Sequence, residues 1–313
     1  MKKNYNYIYY IKLLAIMLVL NSHMDNLYPI SSLAFGGAIG NSLFFLTSGY
    51  TWSNIKTSKF IDWFLKKIKR IWIPTLITNI LFLILLYKGG IDFLSIFKIF
   101  VYPNKSWFCG AIILYSILYY FMVKKDNKYI NIFTIGALIL TYIAYYCLFL
   151  DKSIHSIESF NILNLCRIVF YFICMYLGHI IHKHQDKLSK HVNKYIIISI
   201  ISFIFVILYK VMSNKYGWLY QIQFIEQILT LIFSIGIFRV LQLSENKLPE
   251  SKTIKLIAQY SWEIYLTQTL IIPFCENMLF PLNIFVVIIL ILVSAFILQV
   301  LVKSLFKLLH LEY

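Results

Sequence analysis

Long apolar runs recur along the whole chain of 313 residues, and few charged side chains interrupt them. Hydrophobic residues make up 60% of the sequence and charged residues 13%, whereas about a quarter of the residues in a soluble protein are charged. A run of about 20 apolar residues is long enough to cross the hydrocarbon core of a bilayer as a helix. The pattern therefore predicts an all-α integral membrane protein.

The runs predict a bundle of about ten transmembrane helices in a single domain, residues 1–313. The first run resembles a signal peptide, but Lys12 interrupts it and no small-residue cleavage site follows, so we expect it to be retained. Segment 91–102 is short, and we expect an interfacial helix there. The ten predicted spans are 8–28, 33–53, 71–88, 106–123, 130–150, 160–182, 195–212, 219–241, 254–274 and 280–303.

The distribution of Lys and Arg predicts the orientation of these spans. The two tails and the loops on their side hold 21 of these residues, the opposite loops hold six, and Lys12 and Arg167 fall inside spans. Because cytoplasmic loops carry the excess of cations, both termini are expected in the cytoplasm. Cytoplasmic Lys and Arg residues that face anionic membrane lipid then explain most of the formal net charge of +16. No nucleic-acid partner is expected.

No motif in the sequence predicts a metal site. The five cysteines fall in or beside predicted spans without metal-ligand spacing, so we interpret them as packing residues. His179, His182, His184 and His191 follow one another at the end of the sixth span. Their spacing is not that of a compact ligand set, and a solvated loop face is expected instead.

Lys12 and His23 are the most informative pair of ionisable residues. Ten residues separate them, so an ideal helix projects both side chains from one face, about 16 Å apart along the axis. Ionisable groups inside a membrane favour a functional interpretation, and histidine is the natural proton-transfer group. The alternative is that Lys12 only snorkels to one interface and His23 only contributes to a helix contact near the other. The spacing alone leaves both interpretations open.

The second and third spans add further candidates. The sequence GGAIGNSLFFLTSGY contains small residues that permit close helix packing, and Asn41 and Ser48 add polar groups to the same span. Before the third span, FIDWFLKKIKRIWIP concentrates Lys66, Lys67, Lys69 and Arg70. This basic cluster either anchors the cytoplasmic loop or binds phosphates, for which clustered cations are suited.

Three more ionisable residues lie inside predicted spans: Arg167, Glu226 and Glu263. A buried arginine requires an anionic partner, and either glutamate is a candidate. A structural ion pair is as good an interpretation as a catalytic role.

Taken in order, these motifs resemble the acyltransferase-3 family, the bacterial integral-membrane O-acyltransferases of surface glycans. The first span of that family carries an Arg/Lys-x10-His motif, its second an FF-x-x-SG-Phe/Tyr stretch, and an Arg-x-x-Arg pair precedes its third. This chain matches with Lys12 and His23, with FFLTSGY at 44–50, and with Lys67 and Arg70. SWFCGAIILYSILYYF at 106–121, FYFICMYLGHII at 170–181 and YSWEIYLTQTLII at 260–272 extend the resemblance over nearly the whole chain.

Two positions depart from the family pattern. Lys67 replaces the first arginine of the basic pair, and an ammonium cannot form the same bidentate fork. The family often has a histidine after YL-x near its end, where this chain has Gln268, a neutral hydrogen-bonding group.

The resemblance implies transfer of an acyl group, usually acetyl, from a cytoplasmic acyl-CoA to a hydroxyl of a cell-surface or lipid-linked glycan. His23 is then the general base, Lys12 its donor-side companion, and the basic cluster the dock for the coenzyme A phosphates. Asn41, Ser48, Arg167, Glu226, Glu263 and Gln268 are candidates for lining the substrate path. The expected location is the bacterial cell membrane, with acceptor transfer finishing on the bundle or on a separate extracytoplasmic transferase. The alternative is an exporter or flippase of a polysaccharide or lipid-linked glycan, since the same polar path would serve it.

Overall fold

A computed structural model describes residues 5–55, 59–86, 107–125, 127–158 and 164–310. The described residues form α-helices joined by turns and short 3-10 helices, and no strand occurs among them. The α-helices are α1 Asn6–Ser22, α2 Gly37–Thr51, α3 Phe60–Leu85, α4 Trp107–Lys125, α5 Lys128–Leu148, α6 Leu165–His184, α7 Val192–Lys215, α8 Phe224–Leu243, α9 Lys252–Gln259, α10 Ser261–Cys275 and α11 Leu282–Leu308.

Seven of these helices, α3 to α8 and α11, are long and apolar enough to cross a membrane. α1 is apolar but shorter, with 17 residues, and α2 has 15 residues. The predicted all-α membrane class is thereby confirmed, while the count of ten spans and the side of the termini stay predictions. The predicted interfacial helix at 91–102 lies outside the described residues.

Three predicted boundaries were wrong. α1 ends at Ser22, well before the predicted limit of 28. α3 begins at Phe60, so the basic cluster lies within a helix that continues into the apolar run. The single span predicted at 254–274 is two helices, α9 and α10, which meet at Tyr260. α9 exposes Lys252 and Lys255, and a helix with exposed cations belongs at a surface rather than in hydrocarbon.

Internal contacts divide the chain into two compact units. The first unit comprises Met1–Ala15, Ala38–Lys56 and Leu118–Ser251, and the second comprises Ile16–Gly37, Thr57–Ile117 and Lys252–Tyr313. Each unit is therefore assembled from separate stretches of the sequence. The prediction of one domain over residues 1–313 is not tested by this division.

In the first unit, glycines bring helix backbones into direct contact. A Cβ at Gly49 of α2 would lie 1.7 Å from the carbonyl oxygen of Met175, and one at Gly178 of α6 would lie 2.0 Å from that of Leu46. Any larger residue at either position would force α2 and α6 apart. Gly49 belongs to the small-residue pattern of the second predicted span, and its packing role is confirmed.

In the second unit, α10 packs against α3 and α11. Pro74 lies inside α3 and lacks the N–H that an α-helix requires at that position. One neighbouring carbonyl has two side-chain donors, since the indole N–H of Trp262 donates to the Ile71 oxygen at 3.2 Å and Thr75 Oγ1 donates to the same oxygen at 2.7 Å. The helix continues through the proline to Leu85.

Candidate active site

His23 is the first residue after α1, in a turn that its neighbours hold in place. Its own backbone N–H donates to the Leu20 oxygen at 3.1 Å. The amide of Asn21 donates to the carbonyl oxygens of Leu33 and Phe35 at 2.9 and 3.0 Å, and Tyr28 donates to Asn21 Oδ1 at 2.6 Å. Further along, the amide of Asn283 donates to the Leu27 oxygen at 2.7 Å. These bonds fix the chain on both sides of the imidazole, which is half-buried.

The return from this turn to α2 requires glycine. Gly36 adopts φ +102°, and a Cβ there would lie 2.7 Å from a methyl carbon of Leu18 in α1. The left-handed conformation strains any larger residue at this position, and the Leu18 side chain would also have to move. The glycines of GGAIG thus shape the segment that follows the turn of His23.

The structure modifies the predicted relation of Lys12 to His23. Lys12 lies within α1 and is half-buried, as expected. His23, however, lies beyond the last helical residue, so ideal helical periodicity does not fix the direction of its side chain. Asp25 is exposed in the 3-10 helix that follows, and its carboxylate pairs with no side chain among the described residues.

The basic cluster is a helical surface. Lys66, Lys69 and Arg70 are spaced as neighbours on one face of α3. Lys66 and Arg70 are exposed, and Lys67 and Lys69 are half-buried. The Lys67 ammonium lies 6.0 Å from the centre of the Trp63 ring one turn earlier. A helix face presents these cations at fixed spacing, which a flexible loop would not.

The polar candidates of α2 belong to the first unit. Asn41 is buried, and no hydrogen-bond donor reaches its Oδ1 among the described residues. Ser48 is half-buried, one residue before the contact at Gly49. Between them, Ser42 Oγ lies 2.5 Å from Ser234 Oγ of α8, so the polar side of α2 faces α8.

Glu263 and Gln268 both lie on α10 in the second unit. Glu263 is 3% exposed, and Gln268 is completely buried. Neither the oxygen nor the nitrogen of the Gln268 amide has a partner among the described residues. An unsatisfied buried amide costs about 1–3 kcal/mol, and this side chain stands where the family often has a histidine.

Arg167 has a carboxylate partner that the sequence analysis did not include. Its Nε lies 3.6 Å from Glu158 Oε2, and both side chains are largely buried. Glu158 also accepts hydrogen bonds from Tyr171 at 2.8 Å and from Gln227 at 2.6 Å. Burial raises the pKa of Glu158, although the Arg167 charge and these hydrogen bonds oppose the increase.

Glu226 has a different partner in the same region. His155 Nε2 lies 2.5 Å from Glu226 Oε2, and the side chain of His155 is 30% exposed while that of Glu226 is 6% exposed. Burial lowers the pKa of His155, but the hydrogen bond and charge of Glu226 outweigh it, so the pKa is raised. We call His155, Glu158, Arg167, Glu226 and Gln227 the loop cluster.

Two side-chain amides hold the backbone at Ser156 and Ile157, between His155 and Glu158 of this cluster. Gln223 Oε1 accepts from the backbone N–H groups of Ser156 and Ile157 at 2.9 and 2.8 Å. Asn164 donates to the carbonyl oxygens of the same two residues at 3.0 Å each, and its Oδ1 caps the start of α6. In the sequence, His155 and Glu158 are marked only by the polar stretch DKSIHSIES between two apolar runs.

The predicted solvated face of histidines was wrong for His179. This residue is 6% exposed, and its Nδ1 lies 3.2 Å from Ser53 Oγ. His182 packs its ring against Tyr50 with the ring centres 5.0 Å apart. His179 therefore belongs to the packed interior at the end of α6, and His182 is half-buried beside it.

The comparisons with known proteins agree with the resemblance described above. The family model Acyl_transf_3, described as an acyltransferase domain, matches residues 5–303. No curated protein and no solved structure matches the sequence. A match over nearly the whole chain, with membrane-capable helices throughout, shows that this protein belongs to the acyltransferase 3 family of membrane acyltransferases.

Proposed function

We propose that this acyltransferase moves an acyl group, in the simplest case acetyl, from a cytoplasmic acyl-CoA to a hydroxyl of a cell-surface or lipid-linked glycan. The observation that carries the proposal is the match to the family over residues 5–303, which includes a histidine held in an ordered turn at the end of the first helix. An acyl transfer to a hydroxyl requires a group that removes the hydroxyl proton, and imidazole is suited to that task near neutral pH.

In the proposed reaction, His23 accepts the proton of the acceptor hydroxyl as its oxygen attacks the carbonyl carbon of the thioester. The tetrahedral intermediate collapses with cleavage of the carbon–sulfur bond, and the new oxygen–carbon bond is the ester. The coenzyme A thiolate leaves with the electron pair of the cleaved bond. The imidazolium returns its proton to that thiolate or to water, so that the histidine is neutral for the next turnover.

The donor is proposed to dock on the cationic face of α3. Lys66, Lys69 and Arg70 present three cations along one face, and phosphates bind such arrays through charge-assisted hydrogen bonds. Lys12 would orient the donor from α1. Asn41, Ser48 and Gln268 remain proposed residues of the substrate path, and the unsatisfied amide of Gln268 supports a role in hydrogen bonding to substrate.

Ten spans with both termini in the cytoplasm of a bacterial cell fit this reaction, since they put the start of α1 on the donor side. Contacts inside the first unit support that arrangement. Tyr7 at the start of α1, Tyr50 at the end of α2 and Gln185 after α6 all lie within hydrogen-bond reach of Gln242 at the end of α8. These four helix ends share one side of the membrane in the ten-span topology.

The proposal is tested by the ester content of the surface glycan. A deletion strain is complemented with the wild-type chain, with His23→Ala or with His191→Ala, and the glycan is examined by NMR. His191 is an exposed histidine that makes no side-chain cap for α7, so it is a matched control. We expect esters with the wild type and with His191→Ala. We expect none with His23→Ala at equal abundance in the membrane. Lys12→Ala should give a reduced ester level, which a higher supply of donor restores.

The same strains separate the enzyme from an exporter. Loss of esters on polymer that still reaches the surface supports the acyltransferase. Polymer retained inside the deletion strain, with unchanged esters, would contradict it in favour of export. Normal ester content in the His23→Ala strain would contradict the proposed role of the histidine.

A further inference from the structure

A second arginine of the first unit is buried, and no described residue supplies a counter-charge to it. Arg239 lies on α8, 13 residues after Glu226, and is 2% exposed. A guanidinium stays protonated in proteins, so this site holds a full positive charge. Burying a charge without compensation costs several kcal/mol, and such a site requires an explanation.

The partners of Arg239 are all neutral. Its Nη1 donates to Gln242 Oε1, its Nη2 donates to the Ser189 oxygen at 3.1 Å, and the guanidinium lies 5.5 Å from the centre of the Tyr195 ring. Its Nε has no acceptor among the described residues, and none of their carboxylates forms an ion pair with it.

The acid closest in sequence is committed elsewhere. Glu245 accepts the backbone N–H groups of Asn6 and Tyr7 at 2.7 Å each, one on either oxygen. Its carboxylate therefore compensates the partial positive charge at the start of α1. It makes no ion pair with Arg239 in the part of the chain that the structure describes.

Side-chain amides and tyrosine hydroxyls extend the hydrogen-bond network around Arg239. Gln242 Nε2 lies 3.0 Å from the Tyr50 hydroxyl and 3.5 Å from that of Tyr7, and Tyr50 donates to Gln185 Oε1 at 2.8 Å. We call Tyr7, Tyr50, Gln185, Arg239 and Gln242 the Arg239 cluster. Both glutamines are only half-buried, so the cluster reaches the surface.

We propose that the Arg239 cluster binds a phosphate ester, with the guanidinium as its main anchor. An arginine with an unused N–H next to amide and hydroxyl donors matches the oxygens of a phosphate group. Lys187 and Lys190 are exposed on the loop after α6 and add positive potential at the same end of the unit. A phosphate, with up to two negative charges, suits this surplus of cations better than a carboxylate.

Two sources offer this chemistry: the phosphates of the acyl donor and the headgroup of an anionic lipid. The lipid source does not depend on the proposed function, whereas the donor source rests on it. The cluster is distinct from the cationic face of α3, which belongs to the second unit.

The experiment uses the full chain in nanodiscs and has two arms. In the first arm the nanodiscs contain only phosphatidylcholine, and coenzyme A is titrated by calorimetry. In the second arm they contain phosphatidylglycerol, and retained lipid is measured by native mass spectrometry. Each arm compares the wild type with Arg239→Gln, Arg239→Lys and Lys190→Gln, which removes an exposed cation from the same region.

We expect Arg239→Gln to lower the affinity for the phosphate ligand in one arm by about tenfold or more. This is the contribution expected of a charge-assisted hydrogen bond to a buried group. Arg239→Lys should fall between it and the wild type, because it keeps the charge and loses the fork. Lys190→Gln should change binding by less than about threefold, as expected for an exposed charge. The arm that responds identifies the source of the phosphate.

Binding by Arg239→Gln within about twofold of the wild type in both arms would overturn the inference. If Arg239→Gln fails to fold, Arg239→Lys decides alone, since an unchanged affinity with lysine shows that the fork does not bind phosphate. The fate of the proposed function is read separately from glycan esters. If esters depend on His23 while Arg239 binds no phosphate, the proposed function stands and the inference fails. If Arg239 binds phosphate but no esters form, the inference stands and the proposed function fails.

Discussion

The first unit contains two buried arginines in contrasting surroundings. Arg167 in the loop cluster lies 3.6 Å from the carboxylate of Glu158, whereas Arg239 has only neutral partners among the described residues. A charge that the protein compensates itself belongs to the folded structure. A charge that it leaves uncompensated is available to an anion from outside. Burial of an ionisable residue does not by itself indicate a ligand site. The charges of the groups that contact the residue distinguish a structural ion pair from a site open to a ligand.

The largest expected difference between the two clusters is in stability. Arg167→Gln removes the cation of a buried pair and leaves Glu158 uncompensated, so we expect a loss of about 3 kcal/mol. Arg239→Gln leaves no orphaned carboxylate among the described residues and removes a buried charge, so it should not lower stability. Thermal or denaturant unfolding of the detergent-solubilised chain measures both.

The double variant Arg167→Gln with Glu158→Gln is the control, because it removes both charges together. We expect it to recover most of the lost stability. Equal destabilisation by Arg167→Gln and Arg239→Gln would contradict the distinction between the clusters.

The next effect concerns Glu245, which lies close in sequence to Arg239 but binds the start of α1. Glu245→Ala removes an acceptor for two helix N–H groups and should cost about 1–2 kcal/mol. Hydrogen exchange should accelerate at residues 6 and 7 while α8 around Arg239 stays protected. Faster exchange at Arg239, with residues 6 and 7 unaffected, would instead identify Glu245 as the counter-ion of the arginine.

The smallest effect is the pH dependence of the loop cluster. The pKa of His155 is raised, because the hydrogen bond and charge of Glu226 outweigh burial and the nearby charge of Lys210, with Glu158 adding a minor contribution. A group with a raised folded-state pKa stabilises most fully below its unfolded pKa, and the stabilisation is lost as pH rises through the folded value. We therefore expect stability to fall by about 1 kcal/mol between about pH 6 and the pH at which His155 is neutral.

The matched control for this dependence is His155→Gln, which keeps a hydrogen bond to Glu226 without a titrating ring. Its unfolding midpoint should lose the decrease with rising pH that the wild type shows. An identical pH profile in the two proteins would exclude His155 as its source.

The sequence predicted the class of fold because apolar runs of membrane length dominate it. Helix boundaries were less predictable, since they depend on hydrogen bonds between segments, such as those that hold the turn after α1. For the same reason, the end of α1 at Ser22 moved His23 from a helix face into a turn.

Candidate residues were predictable by type but not by partner. Arg167 and Glu226 stood out as charges inside apolar runs. Their partners Glu158 and His155 lie outside those runs, beside backbone that Gln223 and Asn164 hold by hydrogen bonds. Arg239 was counted only among the cations that orient the chain. Its significance depends on its having no ion pair with a carboxylate of the described residues, which no sequence pattern reports.

The most direct test of the account is acyl transfer by the purified full chain in nanodiscs. Thiol release from acetyl-CoA is measured in the presence and absence of isolated acceptor glycan, for the wild type, His23→Ala and His191→Ala. We predict release that requires the acceptor and falls by about a hundredfold or more in His23→Ala alone, the usual contribution of a general base. Acceptor-dependent release that is equal in His23→Ala and the wild type would contradict the account.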